Sequence, residues 1–299
     1  MSAAGPPHVV AVGGGHGCAR TLAALRILGV RTTAVVSVAD DGGSSGRLRR
    51  DHGVVALGDL RAALLALAPT DATRTVLRDL VAHRFAGGDL GGHSLGNLVL
   101  LARLEARGGD LVAALDDVAA LLGATGRVLP SATAEVTLVA ETSGGVVRGQ
   151  AAVAATRGVT RVRLEPAASD APPEVVAALT DADLVLLGPG SLFTSVLPNL
   201  LVPGVAAALA AGGARTVLVA NLREQVGETE GMTLAAHVAA LHAHVPGLRL
   251  DGVLLDPDSP LGATPPSDGP PVIAARLAGP RGISHEPALL AAAVADLLG

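Results

Sequence analysis

The chain of 299 residues has no lysine, tryptophan or tyrosine, and it contains only two phenylalanines and one cysteine. Because aromatic side chains are almost absent, it lacks the stacking platforms that bind single-stranded nucleic acid. Its net charge of -5 also leaves no basic stripe for phosphate backbones. Cys18 alone cannot form an intrachain disulfide or a Cys-rich zinc site. These absences argue against nucleic-acid binding and are typical of a reducing compartment.

Long apolar runs are also missing. Gly, Pro, Arg or Asp interrupts each apolar segment well before the ~20 residues that a membrane-spanning helix needs, and the first residues do not resemble a signal peptide. We therefore expect a cytoplasmic protein without a membrane span. Hydrophobic residues nevertheless make up 49% of the chain and charged residues 16%, so we expect a large core built from Ala, Val and Leu.

Short β-branched runs alternate with Ala- and Leu-rich segments, a pattern typical of parallel strands joined by helices. The pattern predicts strands at residues 8–12, 31–39, 183–188, 215–221 and 252–255, with helices at 17–29, 58–68, 71–84, 94–107, 110–122, 203–211, 233–244 and 286–298. Residues 135–141 and 146–155 predict an antiparallel hairpin. We predict an α/β fold, Rossmann-like and doubly wound, with a mainly parallel sheet and a small antiparallel insertion. A Pro-rich loop, 256–271, precedes a C-terminal strand and helix.

A glycine-rich junction follows the first predicted strand and precedes the first predicted helix. It consists of Gly13, Gly14, Gly15, His16 and Gly17. Glycines allow the backbone to approach a phosphate, and a helix N-terminus stabilises an anion by roughly 0.3–1 kcal/mol, so the junction favours a diphosphate. Cys18 replaces the third glycine of the dinucleotide fingerprint, and a Walker loop needs a lysine, so NAD and ATP are disfavoured. The alternative is a tight turn without a ligand.

A second polar segment, residues 39–53, follows the second strand. Asp40 lies about where nucleotide folds place the acid that binds a ribose hydroxyl. We read Asp41, Gly42, Gly43, Ser44, Ser45 and Gly46 as a loop with open amides and hydroxyls, and Arg47, Arg49 and Arg50 as cations suited to phosphate. The alternative is a solvated surface loop. Further along, Asp59 and Ser94 are predicted to cap helices, which leaves His93 and Asn97 available to a ligand.

A second junction, Gly188 to Ser191, mirrors the first and predicts the opposite wall of a crevice at the carboxyl edge of the sheet. Phe193 is predicted to fill core space. One loop after the next strand contains Asn221, Gln225, Glu228 and Thr229. No spacing here is typical of metal ligands. We interpret the helix residues His237, His242 and His244 as surface residues, and His93 as a weak candidate for a catalytic base.

Six segments, taken in order, resemble the YvcK-type gluconeogenesis factors of bacteria. They are VVAVGGGHG, VSVADDGGSSGRLR, ALGDLRAALLALA, GHSLGNL, LGPGSLFTSVLPNLLVPG and NLREQVGETEGMTLAAHV, and the likeness extends from about residue 9 to residue 257. His16 stands where these proteins usually have Thr, and LREQVGET replaces their usual MTQPGET. The resemblance implies one domain over residues 1–299, with a fold similar to CofD, the 2-phospho-L-lactate transferase of deazaflavin coenzyme synthesis.

The resemblance also implies a function. YvcK-type proteins bind UDP-sugars and are needed for cell shape and cell-wall synthesis on gluconeogenic carbon sources. By likeness of motif, the nucleotide-sugar site would comprise Gly13, Gly14, Gly15, His16, Gly17, Asp40, Asp41, Gly42, Gly43, Ser44, Ser45, Gly46, Arg47, Asn97, Gly188, Gly190, Ser191 and Asn221.

Two functions remain open at this point. The first is a regulator that binds a UDP-sugar such as UDP-N-acetylglucosamine without a cofactor, has no catalytic or metal-binding residues, and acts on a cell-wall or morphogenesis protein. The second is a CofD-like transferase in which Asp40 and Asp41 hold Mg²⁺ while a phospholactyl group passes from a nucleotide diphosphate donor to an alcohol. The DDGGSSGRLR block resembles the regulators and favours the first. A homo-oligomer is compatible with both.

Overall fold

Ten strands form two sheets in residues 5–262 and 269–299, the part of the chain that the computed structural model describes. They are β1 (His8–Gly13), β2 (Arg31–Val36), β3 (Arg127–Pro130), β4 (Thr137–Thr142), β5 (Gly145–Arg148), β6 (Val159–Glu165), β7 (Leu184–Leu187), β8 (Arg215–Val219), β9 (Gly252–Leu255) and β10 (Val272–Ala274). Seven strands form a parallel sheet in the order β3-β2-β1-β7-β8-β9-β10, and the antiparallel sheet has the order β5-β4-β6. The doubly wound, mainly parallel fold with a small antiparallel insertion is therefore confirmed.

Helices connect and cover the strands. They are α1 (Gly15–Leu28), α2 (Gly43–His52), α3 (Gly58–Leu67), α4 (Ala72–Ala82), α5 (Leu95–Ala106), α6 (Leu111–Leu122), α7 (Gln150–Ala154), α8 (Pro173–Thr180), α9 (Leu197–Leu200), α10 (Pro203–Ala211), α11 (Leu234–His244) and α12 (Pro287–Leu298). A π-helical turn, Leu192–Val196, leads directly into α9. Helix α1 packs against α3 and α12, whereas α8 packs against α10. The sheet is thus enclosed by helical layers.

The central strands are apolar because helices cover both of their faces. All six residues of β1 are buried, and Val9 to Val12 have no exposed surface. Helix α1 ends at Gly29, whose φ of 73° is the left-handed conformation that closes a helix and whose N–H donates to the carbonyl of Leu25. The chain then enters β2 beside β1. This β1–α1–β2 unit sets the first glycine junction at the carboxyl edge of the sheet.

The structure corrects two predicted segments. Residues 43–52 form helix α2 and not an open loop, because Leu48 and Arg49 face the interior and Gly53 ends the helix in the left-handed conformation. In the predicted strand 146–155, β5 ends at Arg148 and the short helix α7 follows Gly149, whose φ is 97°. Strands β3 and β6 and helix α8 have no counterpart in the predicted pattern. The C-terminal strand and helix are confirmed, and residues 263–268 of the Pro-rich segment lie outside the described residues.

In the described part of the chain, no single helix is long and apolar enough to span a bilayer. One bent pair, residues 192–200 and 203–211, has the necessary length and composition with a 74° angle at the break. Nearly all of residues 192–200 are buried, whereas in 203–211 only Val205, Ala208 and Leu209 are buried.

Candidate functional site

The order in which the chain adds strands to the sheet reverses between β1 and β7. From this pair, β2 and β3 extend to one side and β8, β9 and β10 to the other. Loops that leave the carboxyl ends of such a pair diverge, and the crevice between them is where open α/β sheets bind ligands. The two glycine junctions follow β1 and β7, so both lie at this switch point.

The two junctions touch each other. A Cβ atom on Gly17 would lie 2.7 Å from the carbonyl carbon of Pro189, so only glycine fits at position 17. Asn221 fastens the second junction, because its amide donates to the carbonyl of Gly190 (2.9 Å) and accepts the Gly190 N–H (3.0 Å). The two predicted walls of the crevice are thus in contact through the backbone at Gly17 and Pro189, and Asn221 holds the second junction in place.

A carboxylate already occupies the tip of α1. Asp59 Oδ2 accepts the N–H of Gly15 at 2.8 Å. Asp59 lies in the first turn of α3 and does not cap that helix, which corrects the prediction; the cap position is Leu57. Burial of the carboxyl group, followed by the negative charge of Asp40, raises the pKa of Asp59 to about 6, and the Gly15 N–H offsets part of this rise. Asp59 is therefore tied to the first glycine junction; the sequence GDLR at residues 58–61 leaves a helix cap and a functional role equally open.

We expect the substitution Asp59→Asn to change how stability depends on pH. The pKa of Asp59 rises from 3.8 in the unfolded chain to about 6 in the fold, so ionisation of this group costs stability as pH increases through that window. The free energy of unfolding of D59N minus that of the native protein should grow by roughly 2–3 kcal/mol between pH 4 and pH 7, since one pKa unit corresponds to about 1.4 kcal/mol. Urea denaturation across this pH range measures it. A pH-independent difference would contradict the assignment, and the exposed Asp79→Asn is the control.

The segment after β2 is held by its own side chains. Asp40 Oδ1 accepts the N–H of Gly42 (2.9 Å), while Asp41 Oδ1 accepts the N–H of Ala151 at the start of α7 (2.9 Å). Asp41 thus anchors the antiparallel insertion, and the carboxylate coupled to Asp40 is Asp59. Ser45 Oγ accepts the Gly58 N–H (3.2 Å), which joins α2 to α3.

A buried polar chain joins three predicted residues to an arginine. Ser44 Oγ lies 3.0 Å from His93 Nδ1 and accepts a hydrogen bond from Asn97 Nδ2 at 3.0 Å. Asn97 Oδ1 in turn accepts from Arg61 Nε at 2.9 Å. Burial, together with the charge of Arg47, lowers the pKa of His93. Asn97 is only 1% exposed, so it does not face the solvent. Its hydrogen bond to Arg61 orients that guanidinium, and the buried polar residues thus support the site.

The three arginines of α2 have three different environments. Arg47 Nη2 donates to the Gly91 carbonyl at 2.8 Å. Arg50 is exposed beside Asp51. Arg49 is 6% exposed and donates to the carbonyls of Ala39 (3.2 Å), Asp40 (3.1 Å) and Val136 (2.7 Å), besides its ion pair with Glu135. The expectation that Arg49 binds phosphate is therefore wrong, because its donors hold the backbone around Asp40.

A groove of about 940 Å³ opens over the first junction. One side, which we call the helix wall, consists of α1, α3 and α4. The other side, the loop wall, consists of the loops after β7 and β8 and the turn before α12. The predicted site residues that line it are His16, Gly17, Gly190 and Asn221. Gly13, Gly14 and Gly188 are buried, and the residues from Asp40 to Arg47, Asn97 and Ser191 do not line the groove.

The groove is strongly cationic. Five arginines and one glutamate line it, although the whole chain has a net charge of -5. The arginines are Arg20, Arg26, Arg61, Arg78 and Arg223. Sequence reasoning missed this set because its members come from four separate segments, and although Arg61 and Arg223 lie in segments that carry the family likeness, no spacing marks them as phosphate ligands. Only the fold brings them to one surface, which runs along α1 to Arg26 in its last turn.

The loop after β8 shapes the loop wall. Gln225 Nε2 donates to Ser191 Oγ at 2.6 Å. The buried Glu228 accepts the backbone N–H groups of Phe193 (2.7 Å) and Thr194 (3.1 Å), so it caps the π-helical turn. Phe193 is 2% exposed, which confirms its place in the core.

Two interpretations of single residues on α11 were wrong. His237 is buried, and His244, the last residue of α11, is half-buried and accepts the Val162 N–H of β6 at 2.9 Å. Elsewhere, burial raises the pKa of the Cys18 thiol to about 12. Among the described residues, no group of three or more His, Cys, Asp or Glu side chains is placed to hold a metal ion.

The fold and the groove define a Rossmann-like α/β protein of the doubly wound class with a cationic groove at its switch point. The family model of "2-phospho-L-lactate transferase CofD" matches residues 9–263. The gluconeogenesis factor of Bacillus subtilis is 41% identical over 253 residues, which cover 84% of this chain and 78% of the relative. The chain therefore belongs to the CofD family and, within it, to the gluconeogenesis factors.

Two further comparisons agree with this assignment. A relative from Mycobacterium leprae is 47% identical over 268 residues, covering 86% of this chain and 74% of the relative. The crystal structure of a member of the UPF0052 family from Bacillus halodurans superposes with a TM-score of 0.89 at 32% identity, over 98% of this chain and 99% of that one. The likeness thus covers nearly the whole fold.

Proposed function

We propose that this protein is a cytoplasmic regulator that binds a UDP-sugar such as UDP-N-acetylglucosamine. The observation that carries the proposal is the arginine-rich groove at the switch point. In a chain of net negative charge, five arginines that line one groove along α1 form a local site for a dianionic diphosphate. The first glycine junction contributes His16 and Gly17 to the same surface.

The biological part of the proposal rests on the family. The gluconeogenesis-factor name of the relatives and the YvcK-type motifs support a role in cell shape and cell-wall synthesis on gluconeogenic carbon sources. In this scheme, occupancy of the groove signals the supply of sugar nucleotide to a cell-wall or morphogenesis protein. Binding needs neither a metal ion nor turnover.

Titration calorimetry of the nucleotide-free protein with UDP-N-acetylglucosamine tests the proposal, with NAD and GDP as competitors for selectivity. We expect micromolar binding without Mg²⁺ that weakens as salt increases, because the contacts are ionic. Arg20 is exposed on the helix wall, so Arg20→Gln should weaken binding by roughly threefold to tenfold. The matched control is Arg50→Gln, an exposed arginine outside the groove. Equal affinities of the two variants, or no binding by the native protein, would contradict the proposal.

The CofD-like transferase is a second candidate, and the match to the CofD family model favours it. Its Mg²⁺ would require Asp40 together with Asp59, since Asp41 is turned toward α7. When bound, the ion would neutralise the phosphates of the donor. Mg²⁺-dependent consumption of an activated phospholactate donor in the presence of a deazaflavin alcohol would establish this function and overturn the regulator proposal.

A further inference from the structure

A histidine is buried in the loop wall of the groove. His285 is 6% exposed, lies in the turn before α12 and lines the groove together with Ile283 and Ser284. The turn is fixed by a bridge between His285 and Ala278. Among the described residues, the buried Nε2 atom of His285 has no hydrogen-bond partner. A buried polar atom without a partner costs stability, and here it lies in the wall of a ligand-sized groove.

The chemistry of this nitrogen follows from the rest of the ring. Burial is the main cause that lowers the pKa of His285 to about 4, so the ring is neutral at pH 7. The carbonyl of Ala220 accepts a hydrogen bond from the ring. A neutral imidazole has one N–H, and when that N–H is donated to a carbonyl the other nitrogen is an acceptor only. His285 Nε2 therefore requires a donor.

A second acceptor lies in the same wall. Gln225 Nε2 donates to Ser191 Oγ, and its Oε1 is buried without a partner among the described residues. His285 Nε2 and Gln225 Oε1 are both hydrogen-bond acceptors. A phosphate oxygen is also an acceptor, so neither atom can bind it. Four of the five groove arginines thus lie on the helix wall, whereas the two acceptors lie on the loop wall, which also carries Arg223 and Glu224.

We propose that His285 Nε2 accepts a hydrogen bond from an uncharged N–H or O–H group of the bound ligand. The inference rests on the proposed binding of a UDP-sugar. It adds a residue that recognises the nucleoside or the sugar, which carry uncharged donors, and not the diphosphate. Such a donor is present in the imide of a uracil base and in the hydroxyl and acetamido groups of a sugar. Burial of an acceptor at this point excludes ligands that would place an anion there.

Two amide substitutions separate the two ring nitrogens. In His285→Asn the side-chain amide takes the position of Nδ1 and keeps the hydrogen bond to Ala220, but nothing replaces Nε2. In His285→Gln the amide reaches the position of Nε2 and keeps an acceptor in the groove. We therefore expect the Kd for UDP-N-acetylglucosamine to increase about tenfold in H285N and less than threefold in H285Q. Thermal unfolding of each variant confirms that it is folded.

A purely structural role of His285 gives the reverse order, with H285N close to the native protein and H285Q impaired. That result, or equal affinities of the two variants, would overturn the inference. Titration with UDP locates the donor: a penalty in H285N on both UDP and UDP-N-acetylglucosamine places it on the nucleoside, and a penalty on the sugar nucleotide alone places it on the sugar. Either supports the proposal.

Inorganic pyrophosphate is the internal control. It has no uncharged donor, so it should bind the native protein, H285N and H285Q equally through the helix wall. Loss of pyrophosphate binding in H285N would indicate a collapsed groove and overturn the inference. If the native protein binds pyrophosphate but no UDP-sugar, the proposed function fails, whereas a native protein that binds the UDP-sugar without discrimination between the variants refutes only the role of His285.

Discussion

Replacement of Arg49 by methionine should destabilise the protein by roughly 3–5 kcal/mol. Methionine keeps an apolar stem, but it removes the donors that satisfy the carbonyls of Ala39, Asp40 and Val136. These carbonyls would lose their partners in the interior, whereas the carboxylate of Glu135, which is about half exposed (49%), would be solvated. Urea denaturation measures the loss. Ligand affinity should also fall, because the backbone around Asp40 loses its anchor.

The next residue along the helix provides the control. Arg50 is exposed and pairs only with Asp51, so Arg50→Met should change the free energy of unfolding by no more than about 0.5 kcal/mol. If the two variants lose similar free energies of unfolding, Arg49 stabilises the protein only through its positive charge. Its role as a buried donor to the backbone carbonyls would then be wrong.

The substitution Gly17→Ala should separate the two junctions of the crevice. Its methyl group would overlap the carbonyl of Pro189, which is backbone and cannot rotate away. We expect a cost of about 1–3 kcal/mol from overpacking and a loss of UDP-sugar binding, since the walls of the crevice must move apart. Thermal or urea unfolding and calorimetric titration report the two effects.

A glycine in open space tests whether the methyl group itself causes these changes. No heavy atom lies within 4 Å of a Cβ built on Gly213, so Gly213→Ala should be neutral or slightly stabilising, by up to about 1 kcal/mol. If G17A remains as stable and binds as tightly as G213A, the two junctions are not in rigid contact.

The sequence predicts the fold well where one local signal dominates. The apolar run of β1 and the left-handed Gly29 fix the first β–α–β unit, and long Ala- and Leu-rich segments match helices α3 to α6. Segment 43–52 was misjudged because its Gly and Ser residues are typical of loops. The inward packing of Leu48 and Arg49 outweighs that local preference.

The candidate site was predictable only in part. The glycine junctions and Asn221 follow strands directly, so position along the chain indicates their place at the sheet edge. The arginines of the groove, Asp59 and His285 carry no such signal, because each depends on which helix or turn packs next to the crevice. Hydrogen-bond partners also decide roles that spacing cannot, as Asn97 illustrates by orienting Arg61.

The pairing of β1 with β7 has a consequence for how the protein matures. The N–H of His8 donates to Asp183, 175 residues away, and the two halves of the groove are as distant in the chain. Contacts between residues so far apart in the sequence form slowly, because the entropy cost of closing the intervening loop comes before the stabilisation that the contacts provide. A growing chain on the ribosome therefore has no groove until its last third has emerged. The groove, and any ligand binding that depends on it, is therefore a property of the complete fold.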